Sequence, residues 1–204
     1  MTNILISLGG NCSTNHDLIK EQFTEIIGVD NGAQHLFNRS ITPNIVLGDL
    51  DSIDPSLLKK IKTMEIDIKS YKSNKDKTDF ELAIDSIKKP NNKKIYLIGG
   101  EEGEVDHLFS IFSIISNYKF AENLTWFYQD KTIIFKRNIS IEMKKGSRFS
   151  IIPITNLKHL KITGAEWELN EEDINSGSSK TLRNISNSDV IKISCESGLF
   201  CVIY

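Results

Sequence analysis

Six aspartates carry the chemical signal in the first part of the chain. Asp30 follows the apolar run Ile26-Ile27-Gly28-Val29. Asp49 and Asp51 follow Ile45-Val46-Leu47, within Gly48-Asp49-Leu50-Asp51-Ser52. Asp76 and Asp79 lie in Lys75-Asp76-Lys77-Thr78-Asp79, and Asp106 lies in Gly103-Glu104-Val105-Asp106-His107. A single Asp after a strand is usually a helix cap or a turn residue. Asp49 and Asp51 are more specific, because residues two apart in an extended segment face the same way. Carboxylates gathered in one place repel one another. A divalent cation removes that cost, and Mg²⁺ is commonly held by one or two carboxylates together with substrate phosphates. Gly9-Gly10, Gly28, Gly32, Gly48, Gly99-Gly100 and Gly103 fall at the same strand ends. Glycine there lets backbone N–H groups approach phosphates. The chain has no GxxxxGK[ST] and no GxGxxG segment, so neither a P-loop nor an ordinary dinucleotide fold is indicated.

These residues need elements that deliver them to one edge. Short apolar runs at Asn3–Ser7, Ile26–Val29, Ile45–Leu47, Ile66–Ile68, Lys94–Ile98 and Leu124–Tyr128 read as strands. Helical patterns intervene at Asn15–Glu25, from Pro55 with Asp54 as cap, at Thr78–Lys88 and at Val105–Asn117. Strands alternating with helices predict a mostly parallel sheet, whose strand carboxyl ends line a ligand crevice. From about Lys131 the pattern changes. Thr132–Lys136, Ile139–Met143, Phe149–Ile154, Leu160–Thr163, Ala165–Leu169, Val190–Cys195 and Leu199–Ile203 read as closely spaced strands, with Glu166–Asn175 containing a loop. The expectation is an α/β domain over residues 1–130 and an all-β sandwich over residues 131–204.

Composition narrows the class. The chain has 204 residues, 39% hydrophobic and 25% charged, enough for a buried core. Lys plus Arg number 25 and Asp plus Glu 27, for a net charge of −2. That balance argues against nucleic acid as the main partner. No apolar run reaches bilayer length, so no membrane partner is expected. The three cysteines, Cys12, Cys195 and Cys201, lack metal-type spacing, and a reducing cytoplasmic setting fits. Cys12 reads as a small buried or half-buried residue. His107 reads on its own as a helix cap, Trp167 as core of the β part, and Lys69–Lys77 as a solvated face.

Five segments together resemble the thiamine pyrophosphokinase family. Val29-Asp30-Asn31-Gly32-Ala33 resembles a segment where Asp-Gly-Gly-Ala is usual. Pro43–Ser52 resembles the Gly-Asp-Leu-Asp-Ser motif, and Lys75–Glu81 the Asp-x-Thr-Asp-Phe segment. Ile98-Gly99-Gly100 with Asp106-His107-Leu108 resembles Gly-Gly-Arg-x-Asp-His. Ile162–Leu169 resembles the Thr-Gly-Leu-Lys-Trp-x-Leu strand. The resemblance implies transfer of diphosphate from ATP to the hydroxyethyl oxygen of thiamine, giving thiamine diphosphate and AMP. It implies Mg²⁺ and a homodimer with active sites between subunits. On that pattern Asp49, Asp51 and Asp79 are the catalytic and Mg²⁺-handling carboxylates. Asp30, Asn31, Gly32, Lys75, Thr78, Asp106 and His107 serve ATP and its phosphates. Trp167, Ser178 and Asn184 lie at thiamine. The chain departs from the pattern at Glu104, where Arg is usual, at Asn31 in place of Gly, and at Arg183 in place of the Ser of Ser-Asn. Other readings consistent with the carboxylates are another Mg²⁺-dependent pyrophosphokinase or phosphohydrolase, or a non-catalytic nucleotide- or thiamine-binding module.

Overall fold

The computed structural model describes residues 2–18, 22–72 and 76–204. The chain divides into two compact units, Met1–Asp130 and Lys131–Tyr204.

The first unit holds strands β1 (Thr2–Ser7), β2 (Phe23–Val29), β3 (Ile45–Gly48), β4 (Asp67–Ser70), β5 (Lys93–Ile98) and β6 (Leu124–Tyr128). Its helices are α1 (Gly32–Asn38), α2 (Pro55–Thr63), α3 (Asp79–Asp85) and α4 (Val105–Asn117). All strand pairs run parallel, in the order β4-β3-β2-β1-β5-β6. Ile4, Leu5, Ile6, Ile27, Val46, Leu47, Ile95, Leu97 and Ile98 are fully buried or nearly so, as strands covered on both faces require. The chain leaves β1 toward β2 on one side and leaves β5 toward β6 on the other. The order therefore reverses between β1 and β5, and a crevice opens at their carboxyl ends. Helix α2 starts as expected: the Asp54 carboxylate accepts from the backbone N–H groups of Ser56 (2.8 Å) and Leu57 (3.4 Å). No described helix is long and apolar enough to cross a membrane.

One expectation fails in this unit and one element goes unanticipated. Asn15–Asp17 is irregular rather than helical, and Phe23 and Thr24 already belong to β2; residues 19–21 lie outside the described residues. The reason is tertiary. Arg39 donates to the carbonyls of Cys12 and Thr14 (3.1 Å each), and the Ser13 N–H donates to the Glu101 carboxylate. Those partners pin the Cys12–Thr14 segment in an irregular path that runs on into Asn15–Asp17. The short helix α1 was hidden because only Ala33, Leu36 and Phe37 mark an apolar face.

The second unit is all β: β7 (Lys131–Lys136), β8 (Asn138–Glu142), β9 (Arg148–Pro153), β10 (Leu157–Thr163), β11 (Leu169–Ile174), β12 (Asn184–Ile185), β13 (Val190–Ser194) and β14 (Phe200–Ile203). They pair antiparallel in two sets, β12-β9-β14-β7 and β11-β10-β13-β8. Ile134, Phe149, Ile151, Phe200 and Val202 of the first set share one core with Ile141, Leu160, Ile162, Ile191 and Ile193 of the second. The strand expected at Ala165–Leu169 is absent up to Glu168; Ala165 makes a lone bridge to Ser186, and Leu169 opens β11. The polar stretch Glu166–Asn175 does include an irregular segment, Glu166–Glu168, but most of it forms β11. β11 ends its set, so its polar side chains face water while Leu169 and Ile174 turn to the core.

Candidate active site

The site is built at the carboxyl ends of β2 and β3. Asp30 directly follows β2 in the left-handed region, with φ of 48°. Its backbone N–H donates to the Leu47 carbonyl (2.8 Å), and its Oδ1 accepts from the Leu50 N–H (3.3 Å). That carboxylate lies directly on Gly48: a Cβ there would stand 1.7 Å from Asp30 Oδ1. Glycine at position 48 is thus a condition for the placement of Asp30. Beyond it, Leu50 turns into the apolar cluster of Val46, Ile53, Leu57 and Ile61. Asp49 is left half-buried and Asp51 exposed, and the Asp51 N–H donates to Asp49 Oδ1 (3.3 Å). Asp79 is the first residue of α3, whose N-cap Thr78 accepts from the Glu81 N–H (3.2 Å).

The electrostatics record crowding of like charge. Partial burial, then the Asp79 and Asp49 carboxylates, push the Asp30 carboxyl up to about 7 from 3.8. Hydrogen bonding to Asp49 and the Asp49 charge raise Asp51. The four carboxylates therefore form two touching pairs, Asp30 with Asp79 and Asp49 with Asp51. Among the described residues no group of three or more His, Cys, Asp or Glu side chains forms a ready-made metal cage. The donor set still fits a hard divalent cation, which takes one or two protein carboxylates and completes its shell with phosphate and water oxygens.

A cleft of about 510 Å³ opens over these residues, a size suited to a small-molecule ligand. Asp30, Asn31, Asp49, Thr78, Asp79 and His107 line it, together with Gly9, Gly10, Gly100, Gly103 and Lys77. Gly32, Asp51 and Asp106 are not among the lining residues. A Cβ on Gly32 would meet the Ser7 carbonyl at 2.1 Å, so this glycine serves the seating of α1 on β1. The Asp106 carboxylate accepts from the His107 N–H (2.8 Å) at the head of α4. Lys75 lies outside the described residues.

Sequence reasoning missed the polar braces behind the glycine walls. Glu101 is wholly buried. Its carboxylate accepts from the N–H and hydroxyl of Ser13 and from the Gln129 N–H (2.9 Å). His35 Nε2 lies 2.8 Å from the Gly10 carbonyl, and burial lowers its pKa, which favours the neutral ring as donor. Cys12 is half-buried beside this brace, its thiol pushed up by burial. In sequence Glu101-Glu102 after two glycines reads as a solvated turn, and nothing local signals its burial.

In the second unit Trp167 is 53% exposed, against the expectation that spacing alone sets. Its backbone is gripped at both ends by buried Asn184: Nδ2 donates to the Trp167 carbonyl (2.8 Å), and Oδ1 accepts from the Trp167 N–H (3.1 Å). Asn184 Oδ1 also accepts from Ile185 (2.8 Å). Ser178 sits in a local turn, its hydroxyl accepting from the Lys180 N–H (3.3 Å).

A carboxylate-lined cleft at the switch point of a parallel sheet, carried in one chain with an all-β unit, defines a class of phosphate-handling enzymes. Residues 16–127 match the family model of the thiamin pyrophosphokinase catalytic domain, and residues 132–200 match that of the thiamin pyrophosphokinase vitamin B1 binding domain. The chain belongs to the thiamin pyrophosphokinase family. It is 28% identical over 193 residues to the thiamine pyrophosphokinase of Bacillus subtilis, covering 90% of this chain and 89% of that protein. The crystal structure of the Bacillus subtilis thiamine pyrophosphokinase superposes with a TM-score of 0.86 at 24% identity, over 99% of this chain and 98% of that one. A thiamin pyrophosphokinase family protein from Enterococcus faecalis gives 0.84 at 18% identity, over 100% of this chain and 98% of that one. At these identities the structures speak for the fold.

Proposed function

We propose that this chain transfers the diphosphate group of ATP to the hydroxyethyl oxygen of thiamine, with Mg²⁺, giving thiamine diphosphate and AMP. The observation that carries the reading is the convergence of Asp30, Asp49 and Asp79 on one cleft in the unit that matches the catalytic domain. Asp49, Asp51 and Asp79 are the residues that would hold Mg²⁺. When bound, the cation neutralises phosphate oxygens that would otherwise repel the incoming hydroxyl. Asn31, Thr78 and His107 border the space for the phosphates. The thiamine oxygen attacks the β-phosphorus, the bond from that phosphorus to the α–β bridging oxygen breaks, and AMP departs. The hydroxyl proton goes to a carboxylate. Asp79 suits this better than Asp51, because Asp79 lines the cleft and Asp51 does not.

The second unit is read as a β-sandwich that binds thiamine and supports a homodimer. Exposed Trp167 offers an indole to a flat cation, a contact worth about 0.5–2 kcal/mol. Asn184, with its amide turned onto the protein's own backbone, acts by holding Trp167 rather than by touching thiamine.

The test is a product assay with ATP, thiamine and Mg²⁺. AMP and thiamine diphosphate in equal amounts support the reading; orthophosphate release without thiamine diphosphate overturns it.

A further inference from the structure

The cleft gathers negative charge and, on the reading above, has to admit more of it. Asp30, Asp49 and Asp79 line it, and Lys77 is the described lining residue with a permanent positive charge. The wall that carries Gly103 continues into exposed Glu104 at the head of α4, so it contributes an anion instead of a cation. Lys77 stands one residue before the Thr78 cap, at the end of α3 that faces the cleft. Its ammonium is folded back along that helix. Nζ lies 2.6 Å from Asp85 Oδ2 and 3.2 Å from Glu81 Oε1, with the Lys77 and Asp85 side chains 47% and 49% exposed. Ion pairs this open to water hold their partners weakly. A polyphosphate presents several anionic oxygens close together, and a lysine ammonium is a point charge on a flexible stem that can change partner without moving the backbone.

We propose that Lys77 is the phosphate-facing cation of this cleft, parked on Asp85 and Glu81 in the free protein and handed to the phosphates of the nucleotide when they enter. The assignment rests on the ATP-dependent reading of the site. Lys77 is then a binding residue for the co-substrate, and Asp85 its competitor. The two predict opposite signs.

Steady-state kinetics with both substrates varied tests this in Lys77→Met and Asp85→Asn, with a thermal melt of each as a check on folding. Lys77→Met raises the KM for ATP about tenfold, as loss of a charge-assisted contact to phosphate should, and leaves the KM for thiamine within about twofold. Asp85→Asn lowers the KM for ATP about two- to threefold, because an exposed competitor is removed, with kcat unchanged. A mere brace on α3 would lower the melting temperature in both variants and leave the KM for ATP in place. An unchanged KM for ATP in Lys77→Met, or a raised one in Asp85→Asn, overturns the assignment while the enzyme still makes thiamine diphosphate. Failure of the unaltered chain to make thiamine diphosphate overturns the reading beneath it.

Discussion

Asp30→Asn should stabilise the metal-free protein at neutral pH while lowering its activity. The Asp30 carboxyl is raised from 3.8 to about 7 by partial burial and by the Asp79 and Asp49 charges. A folded state that holds a proton more tightly than the unfolded chain has that stability in full below about pH 4, and loses it as pH rises through about 7. At about 1.4 kcal/mol per tenfold, the ceiling on the loss is roughly 4 kcal/mol. The side chain is only part-buried, so solvent screening brings the expected figure to about 1–2 kcal/mol. For a chain of this length that is a rise of roughly 2–8 °C in melting temperature. Asparagine keeps an acceptor for the Leu50 N–H, so the substitution removes charge without orphaning the loop. The assay is a thermal melt of both proteins in chelator from pH 4 to pH 8. The gap should be near zero at the acid end and widen toward pH 8, and a divalent cation should raise the melting temperature of the unaltered protein more than that of the variant. A variant less stable than the parent at pH 8 in chelator would refute the reasoning, because Asp30 would then be making favourable contacts instead of enduring repulsion.

Gly48→Ala should evict the Asp30 carboxylate from its seat, since the new Cβ would fall 1.7 Å from Oδ1; loss of activity with the melting temperature lowered by a few degrees is the expected pair of readings. Glu101→Ala removes the buried acceptor that ties exposed Ser13 to half-buried Gln129, at a cost of about 1–2 kcal/mol measurable by urea denaturation. Trp167→Ala should raise the KM for thiamine about 2- to 30-fold, the loss expected for one cation–π platform, with little change for ATP. Asn184→Ala should raise the same KM, because it frees the Trp167 backbone from both of its hydrogen bonds; a normal thiamine KM in Asn184→Ala beside a raised one in Trp167→Ala would show that Trp167 needs no such grip.

The parallel strands were legible because a strand buried on both faces has to be an unbroken apolar run, as Ile4-Leu5-Ile6 and Ile95–Ile98 are. Helix α2 was legible because Asp54-Pro55 is a local start signal that tertiary context did not overrule. Asn15–Asp17 was not, since the partners that hold the Cys12–Thr14 loop, Arg39 and Glu101, are distant in sequence. β11 was not, since a strand at the end of its set needs few apolar residues and reads as a loop. Among the site residues, Asp30, Asp49 and Asp79 could be found because each follows a strand or opens a helix at one sheet edge. What no spacing could give was the pairing, Asp30 against Asp79 and Asp49 against Asp51, or the inward turn of Glu101. Trp167 shows the reverse case: its apolar character points inward, yet the backbone clasp by Asn184 presents the ring to solvent.

The measurement that bears most directly on the site is a crystal structure of the protein with Mn²⁺ and a non-hydrolysable ATP analogue, with the ion located by its anomalous signal. The expected result is an ion within about 2.2 Å of a carboxylate oxygen of Asp49, Asp51 or Asp79, bridging to phosphate oxygens in the cleft bordered by Asp30, Thr78 and His107. Carboxylates left bare of the ion, or phosphates seated away from that cleft, would contradict it.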